Sequence, residues 1–136
     1  MLSRSLRAAV GQAYAALDVG STQAKFIRHI GRNSRISQAD LARATATDPA
    51  LTGRALETLI ERGWVRRKRS VEDRRQYILE LSAAGERARR RVEEARERVA
   101  TQVLAVLDER DIEHFDAIVG KIVAAFGGSA VPGEKP

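Results

Sequence analysis

A chain of 136 residues is enough for one domain, or a small domain with an added assembly region, and leaves no room for an elaborate enzyme. Hydrophobic residues at 43% can build a core, while 24 Lys and Arg against 18 Asp and Glu give a net charge of +6 that favours polyanionic partners. The lack of cysteine excludes disulfides, thiolate metal sites and thiol-based oxidation sensing. With no signal-peptide core and no apolar run of about eighteen residues, the expected compartment is the cytoplasm and no membrane contact is expected.

Leu6, Ala9, Val10, Ala13 and Leu17 recur at helical spacing and predict a first helix over roughly residues 3–19, with Gly20 as its stop. Its stripe has no evident partner within the unit that follows, so packing on the C-terminal helices or on a second subunit is expected. A short helix follows Ser21-Thr22, buries Phe26, Ile27 and Ile30, and should break at Gly31. Residues 33–36 then connect onward and could add a brief third strand. His29 lies at the edge of the apolar face, and His114 is far off in sequence, so no metal-binding spacing exists and no cofactor is expected.

The stretch from Ser37 to Leu81 organises the chain. Ser37 and Asp40 have the S-x-x-D spacing of a capping box, which starts a short helix that runs out near Thr45. Thr47-Asp48-Pro49 supplies a cap and a proline at the first helical position, so a second helix begins about three residues later and ends at Gly63. Two helices joined so tightly form a helix-turn-helix, whose second helix commonly enters the DNA major groove. Stepping about 100° per residue places Leu51, Thr52, Ala55, Leu56, Leu59 and Ile60 inward and Ala50, Gly53, Arg54, Glu57 and Glu61 outward. Thr52 reads as structural, with its hydroxyl bonded to a carbonyl one turn earlier. Arg54 is the one long donor near the leading end of the presented face.

After Gly63 the pattern turns to period two. Residues 64–68 and 76–81 read as two strands, with Tyr77, Leu79 and Leu81 on one face. From Arg62 to Arg75 there are seven basic residues and two acidic ones, a charge suited to a hairpin wing that follows phosphates or enters the minor groove. Ser82 caps a long helix to about Leu107, with Val92, Ala95, Val99, Val103 and Val106 as its stripe; it is longer than a compact winged helix needs. Asp108 and Asp111 start a last helix with Ile112, Phe115, Ile118, Val119, Ile122 and Phe126 as its stripe, and Gly127-Gly128 should end it before a disordered tail. The first, long and last helices together hold more apolar surface than one chain can cover, which marks a dimer.

Ser37-Gln38-x-Asp40-Leu41-Ala42, Leu59-x-x-Arg62-Gly63-Trp64-Val65-x-Arg67, Asp73-Arg74-Arg75 and Leu79-x-Leu81-Ser82-x-x-Gly85 together resemble the MarR family of winged-helix transcription regulators. The resemblance implies that Arg75 enters the minor groove, that Asp73 helps hold the wing in shape, and that Arg54 touches DNA from the recognition helix. Gly53 departs from it, since many members carry Ser or Thr there. It also implies interlocked terminal helices in a dimer, and a small effector, often an anionic aromatic or phenolic compound, in a crevice between the DNA-binding lobe and the helical dimer region. Tyr14, Arg28 and His29 fall near it, but each has a plainer packing or surface explanation and none is counted in the site.

The expected fold is mainly α with a small β-hairpin wing: a dimerisation helix over residues 1–20, a winged helix-turn-helix over 21–85, a helical dimerisation region over 86–126, and a tail over 127–136. The candidate DNA-contacting residues are Ser37, Gln38, Ala50, Gly53, Arg54, Glu57, Arg67, Arg69, Asp73, Arg74 and Arg75. The expected function is that of a homodimeric repressor of a palindromic operator, relieved by a small ligand. The alternative is a winged-helix protein-interaction module, which has no need of so basic a hairpin. No nucleophile-base pair, phosphate loop or carboxylate cluster stands at a recognisable spacing, so catalysis is not expected.

Overall fold

The computed structural model describes residues 2–126, and the expected tail with its Gly127-Gly128 stop lies outside them. In order, the elements are α1 (Leu2–Ala15), α2 (Ser21–Arg32), α3 (Gln38–Ala44), α4 (Pro49–Glu61), β1 (Val65–Arg69), β2 (Tyr77–Leu81), α5 (Ala83–Ala105) and α6 (Glu109–Ala125). The chain divides into two compact units, one ending at Glu97 and the other beginning at Arg98.

The first unit is built on a core in which Phe26, Ile27, Leu41, Leu56, Leu59, Leu79 and Val92 are fully buried. Tyr14 and Val19 belong to the same core, with Val10 and Leu17 packed on it. That corrects the expectation that the first helix has no partner in this unit: its last turns pack there, against α2. The helix also ends sooner than expected. The Tyr14 carbonyl accepts from the N–H groups of Leu17 and Val19 around Asp18, which takes a positive φ of 56°, so Asp18 and not Gly20 makes the stop. Gly20 is instead the N-cap of α2.

Gly31 does not break α2. It stays helical, and the Arg89 side chain of α5 fills the space a Cβ there would take, which accounts for the glycine. The stop comes at Asn33, whose side-chain amide donates to the His29 carbonyl at 2.7 Å.

Both arms of the Ser37–Asp40 capping box are made, at 3.1 and 3.2 Å, and α3 starts where its sequence predicts. The turn into α4 passes through Ala46 at φ 48°, tied by Thr47 N–H to the Ala42 carbonyl at 2.9 Å. Asp48 caps α4 by accepting from the N–H groups of Ala50 and Leu51. Thr52 is fully buried and its hydroxyl donates to the Asp48 carbonyl at 2.9 Å, the back-bond expected of it. Leu51, expected inside, is 44% exposed, because it falls at the rim of the apolar arc in the first turn of α4. Gly63, at φ 74°, ends the helix.

β1 and β2 pair antiparallel, with Val65 opposite Leu81, Arg67 opposite Leu79 and Arg69 opposite Tyr77. Leu79 is buried and Leu81 partly so, but Tyr77 is exposed, since the hairpin has left the core by that register. The third strand is reduced to one bridge between Ser37 and Ile78, with the Ile36 carbonyl accepting from Leu79 N–H at 2.9 Å. Ser82 then caps α5 through Gly85 N–H at 3.0 Å and donates its hydroxyl to the Gly63 carbonyl. Gly85 is buried so close to the Trp64 carbonyl that a Cβ would overlap it.

The second unit carries the end of α5 and α6. Helix α5 ends at Ala105, slightly before the expected Leu107, and the Asp108–Asp111 capping box opens α6 at 2.8 and 3.0 Å. None of the residues of α6 is buried. Its stripe is present but uncovered, with Phe115 at 61% and Phe126 at 69% exposure.

Candidate nucleic-acid interface

Helix α4 presents the residues its periodicity separates: Ala50, Arg54, Glu57 and Glu61 are exposed and Gly53 is partly so. The Arg54 side chain has no ion pair or hydrogen bond among the described residues. Three of the other expected contacts are drawn together beside it. Arg67, on β1, donates from one terminal nitrogen to Glu57 at 2.6 Å and from the other to the Gln38 carboxamide oxygen at 3.3 Å. The Gln38 nitrogen in turn lies 3.5 Å from where a Cβ on Gly53 would sit. Helix α3, helix α4 and the hairpin are thus linked by one polar chain. Ser37 is nearly buried, and its hydroxyl and N–H are both taken by the capping box. Its hydrogen bonds hold the Asp40 carboxyl below the usual carboxylate range.

The hairpin tip is held by its own side chains. Ser70 is 7% exposed and its hydroxyl accepts from the N–H groups of Glu72 and Asp73, at 3.3 and 3.2 Å. Asp73 accepts from Arg75 N–H at 3.0 Å, and its carbonyl accepts from Gln76 N–H at 3.0 Å. Arg69 donates to the Arg74 carbonyl at 2.9 Å and to the Tyr77 hydroxyl at 3.3 Å, with its guanidinium over the Tyr77 ring. Arg35 forms an ion pair with Glu72. The side chains of Lys68, Arg74 and Arg75 have no partner among the described residues. The polar members of the expected set therefore separate into cations without a side-chain partner among the described residues (Arg54, Arg74, Arg75) and groups engaged with the protein (Ser37, Gln38, Glu57, Arg67, Arg69, Asp73), while Ala50 and Gly53 leave the surface of α4 low beside them.

Two features were not singled out in the sequence. Ser70 and Asp73 repeat the S-x-x-D spacing of Ser37 and Asp40, a signal that would have marked Ser70 as the organiser of the tip. Arg62 counts toward the basic stretch but does not serve the hairpin. It stacks 3.8 Å from the Trp64 ring centroid and donates to the Asp18 carbonyl at 2.7 Å and to Gln23 at 2.9 Å, fastening the α1–α2 junction to the end of α4.

Away from this face, Arg28 donates to Glu93 at 2.8 Å and Arg96 to the buried Tyr14 hydroxyl at 3.0 Å, so α5 is clamped to α1 and α2. Burial would raise the Glu93 carboxyl, but the Arg28 hydrogen bond and the charges of Arg28, Arg32 and Arg96 outweigh it and hold the group below its usual range. Burial, then Arg28, Arg32 and Lys25, pushes His29 down. Among the described residues there is no cluster of three or more metal-ligating side chains, and no helix is long and apolar enough to cross a membrane.

Two short helices across a tight turn, a second helix with an outward arginine and a braced basic hairpin define a winged helix-turn-helix protein. Residues 17–76 match the sequence profile of the MarR family. An HTH-type transcriptional regulator, BilQ of Clostridium symbiosum, is 28% identical over 97 residues, covering 71% of this chain and 67% of the relative. MepR, described as a transcription regulator of the Staphylococcus aureus multidrug efflux pump MepA, superposes with a TM-score of 0.83 at 16% identity, covering 93% of each chain. A mutant MarR from E. coli in complex with operator DNA superposes with a TM-score of 0.75 at 18% identity, covering 90% of this chain and 89% of that one. Over residues 17–76 the chain is thus similar to the MarR family, and the relative it matches along most of its length is a transcriptional regulator.

Proposed function

We propose that this protein is a homodimeric repressor that binds double-stranded DNA at an inverted repeat in the cytoplasm. The observation that carries the reading is the set of free guanidinium groups on the two parts of the fold that reach DNA: Arg54 on the presented face of α4, and Arg74 and Arg75 on a hairpin tip braced by Ser70 and Asp73. A cation with no partner inside the protein and a rigid support can neutralise phosphate or donate to a base edge without first breaking an internal pair. In this reading Arg54 donates to a guanine edge in the major groove and Arg75 enters the minor groove beside it.

Dimerisation is supported by α6. A solvated helix is stabilised mainly by covering its apolar face, yet Phe115, Ile118, Ile122, Val123 and Phe126 are each more than half exposed. A second copy of the same helix region would cover them, and a two-fold axis would set two α4 helices about 34–36 Å apart, one turn of duplex. Occupancy of a promoter then blocks polymerase. A small anionic aromatic or phenolic effector that alters the spacing of the two helices would release the DNA, a step that rests on the family resemblance.

Selection of bound duplexes from a random pool tests the reading. An inverted repeat with half-site centres about one turn apart is expected. Recovery of sequences with no common motif, at low salt, would leave an interaction module as the better description.

A further inference from the structure

Glu57 poses a problem that the reading above does not solve. An exposed carboxylate three residues from Arg54 shares the presented face of α4, where it faces a polyanion and should weaken binding. We infer that Glu57 is a positioning residue: through Arg67 it fixes the Gln38 carboxamide so that its N–H2 group stands over Gly53 as a donor to DNA.

The geometry runs in one direction. Arg67 has only donors, so the group it meets on Gln38 must be the carboxamide oxygen, at 3.3 Å, and the carboxamide nitrogen is thereby turned away from it. That nitrogen lies 3.5 Å from the Cβ position of Gly53, in space that a side chain on α4 would otherwise use. Arg67 is itself held by Glu57 at 2.6 Å, the shorter of its two contacts, as befits a charged acceptor. Without the carboxylate the guanidinium loses the contact that orients it, and the carboxamide loses its preferred rotamer and sense. The reading face therefore gains from α3 the polar group that Gly53 lacks. Its two N–H donors fit an acceptor on DNA: either a base edge, such as guanine O6 and N7 or thymine O4, or a phosphate oxygen.

This inference rests on the proposed DNA binding, and its test starts from a duplex selected by the wild-type protein, so failure of that selection would count against the earlier reading and not against this one. Affinity for the selected duplex is compared among wild type, Glu57→Ala, Gln38→Ala and the double variant, with thermal midpoints as the check on folding. Loss of an acid from the face would by charge alone tighten binding. The inference predicts the opposite: Glu57→Ala and Gln38→Ala each weaken binding about tenfold, Glu57→Asp recovers part of the loss, and Gln38→Ala adds less than about twofold in the Glu57→Ala background. Tighter binding by Glu57→Ala, or losses that simply add, overturns it. A second selection with Gln38→Ala separates the two acceptors. Relaxed preference at one base pair per half-site identifies a base edge, and an unchanged motif bound more weakly identifies a phosphate.

Discussion

Arg54 and Arg75 have the same chemistry but different expected signatures. Replacing Arg54 by Ala removes a donor from the presented face of α4 and, if that face reads bases as proposed, should reduce discrimination between the selected duplex and random DNA by about 1–3 kcal/mol. A uniform loss on both DNAs would make it a phosphate contact. Replacing Arg75 by Ala should weaken all binding while the melting temperature stays put, since its side chain makes no hydrogen bond or ion pair among the described residues. Ser70 gives a contrasting case: Ser70→Ala strips the acceptor from two backbone N–H groups at the tip. It should cost about 1 kcal/mol of stability and lower affinity although no cation is lost. Unchanged affinity would show that the tip keeps its form without Ser70. At this scale the sequence tells which residue types face outward but not which of them are already engaged. Periodicity places Arg54 and Glu57 on one face equally well, and only the fold reveals that Glu57 is held by Arg67 while Arg54 is free.

Where elements meet, glycines and ion pairs decide the arrangement. Gly85 admits the start of α5 against the Trp64 carbonyl, so Gly85→Ala must push the helix from its seat and should cost the upper part of the roughly 1–3 kcal/mol seen for overpacking. A melting curve unchanged by this substitution would contradict the close approach. The clamp between α2 and α5 predicts acid sensitivity. Glu93 is held below its usual 4.5, so its contribution is present above that value and fades as pH falls through the folded-state pKa. His29 is held below its usual 6.5, so the unfolded chain takes up its proton first and stability declines as pH falls from about 6.5. Both trends have the same sign. Stability should therefore fall from pH 7 toward pH 4, and His29→Gln should remove the earlier part of the decline. Element starts were legible because caps are local: Ser37, Asp48, Ser82 and Asp108 each sit where their spacing predicts. Stops were less so, because they depended on partners distant in sequence. Gly31 looks like a break until Arg89 is seen lying on it, and Asp18 takes the turn that Gly20 seemed made for.

For the whole molecule, the central claim is that two copies join through their helical ends and address one duplex together. The stripe of α6 was readable from sequence as more apolar surface than one chain can cover, and Phe115, Ile118, Ile122 and Phe126 are indeed more than half exposed, although periodicity reports a face and never what covers it. Phe115→Glu with Ile118→Glu should therefore dissociate the dimer and weaken operator binding far more than any single surface change in the first unit. The most direct test is sedimentation of the intact protein with a labelled duplex carrying the selected inverted repeat, over a range of protein concentration and salt. The account predicts two chains per duplex, with affinity falling steeply as salt rises. One chain per duplex at saturation, or no complex in dilute salt, would contradict it.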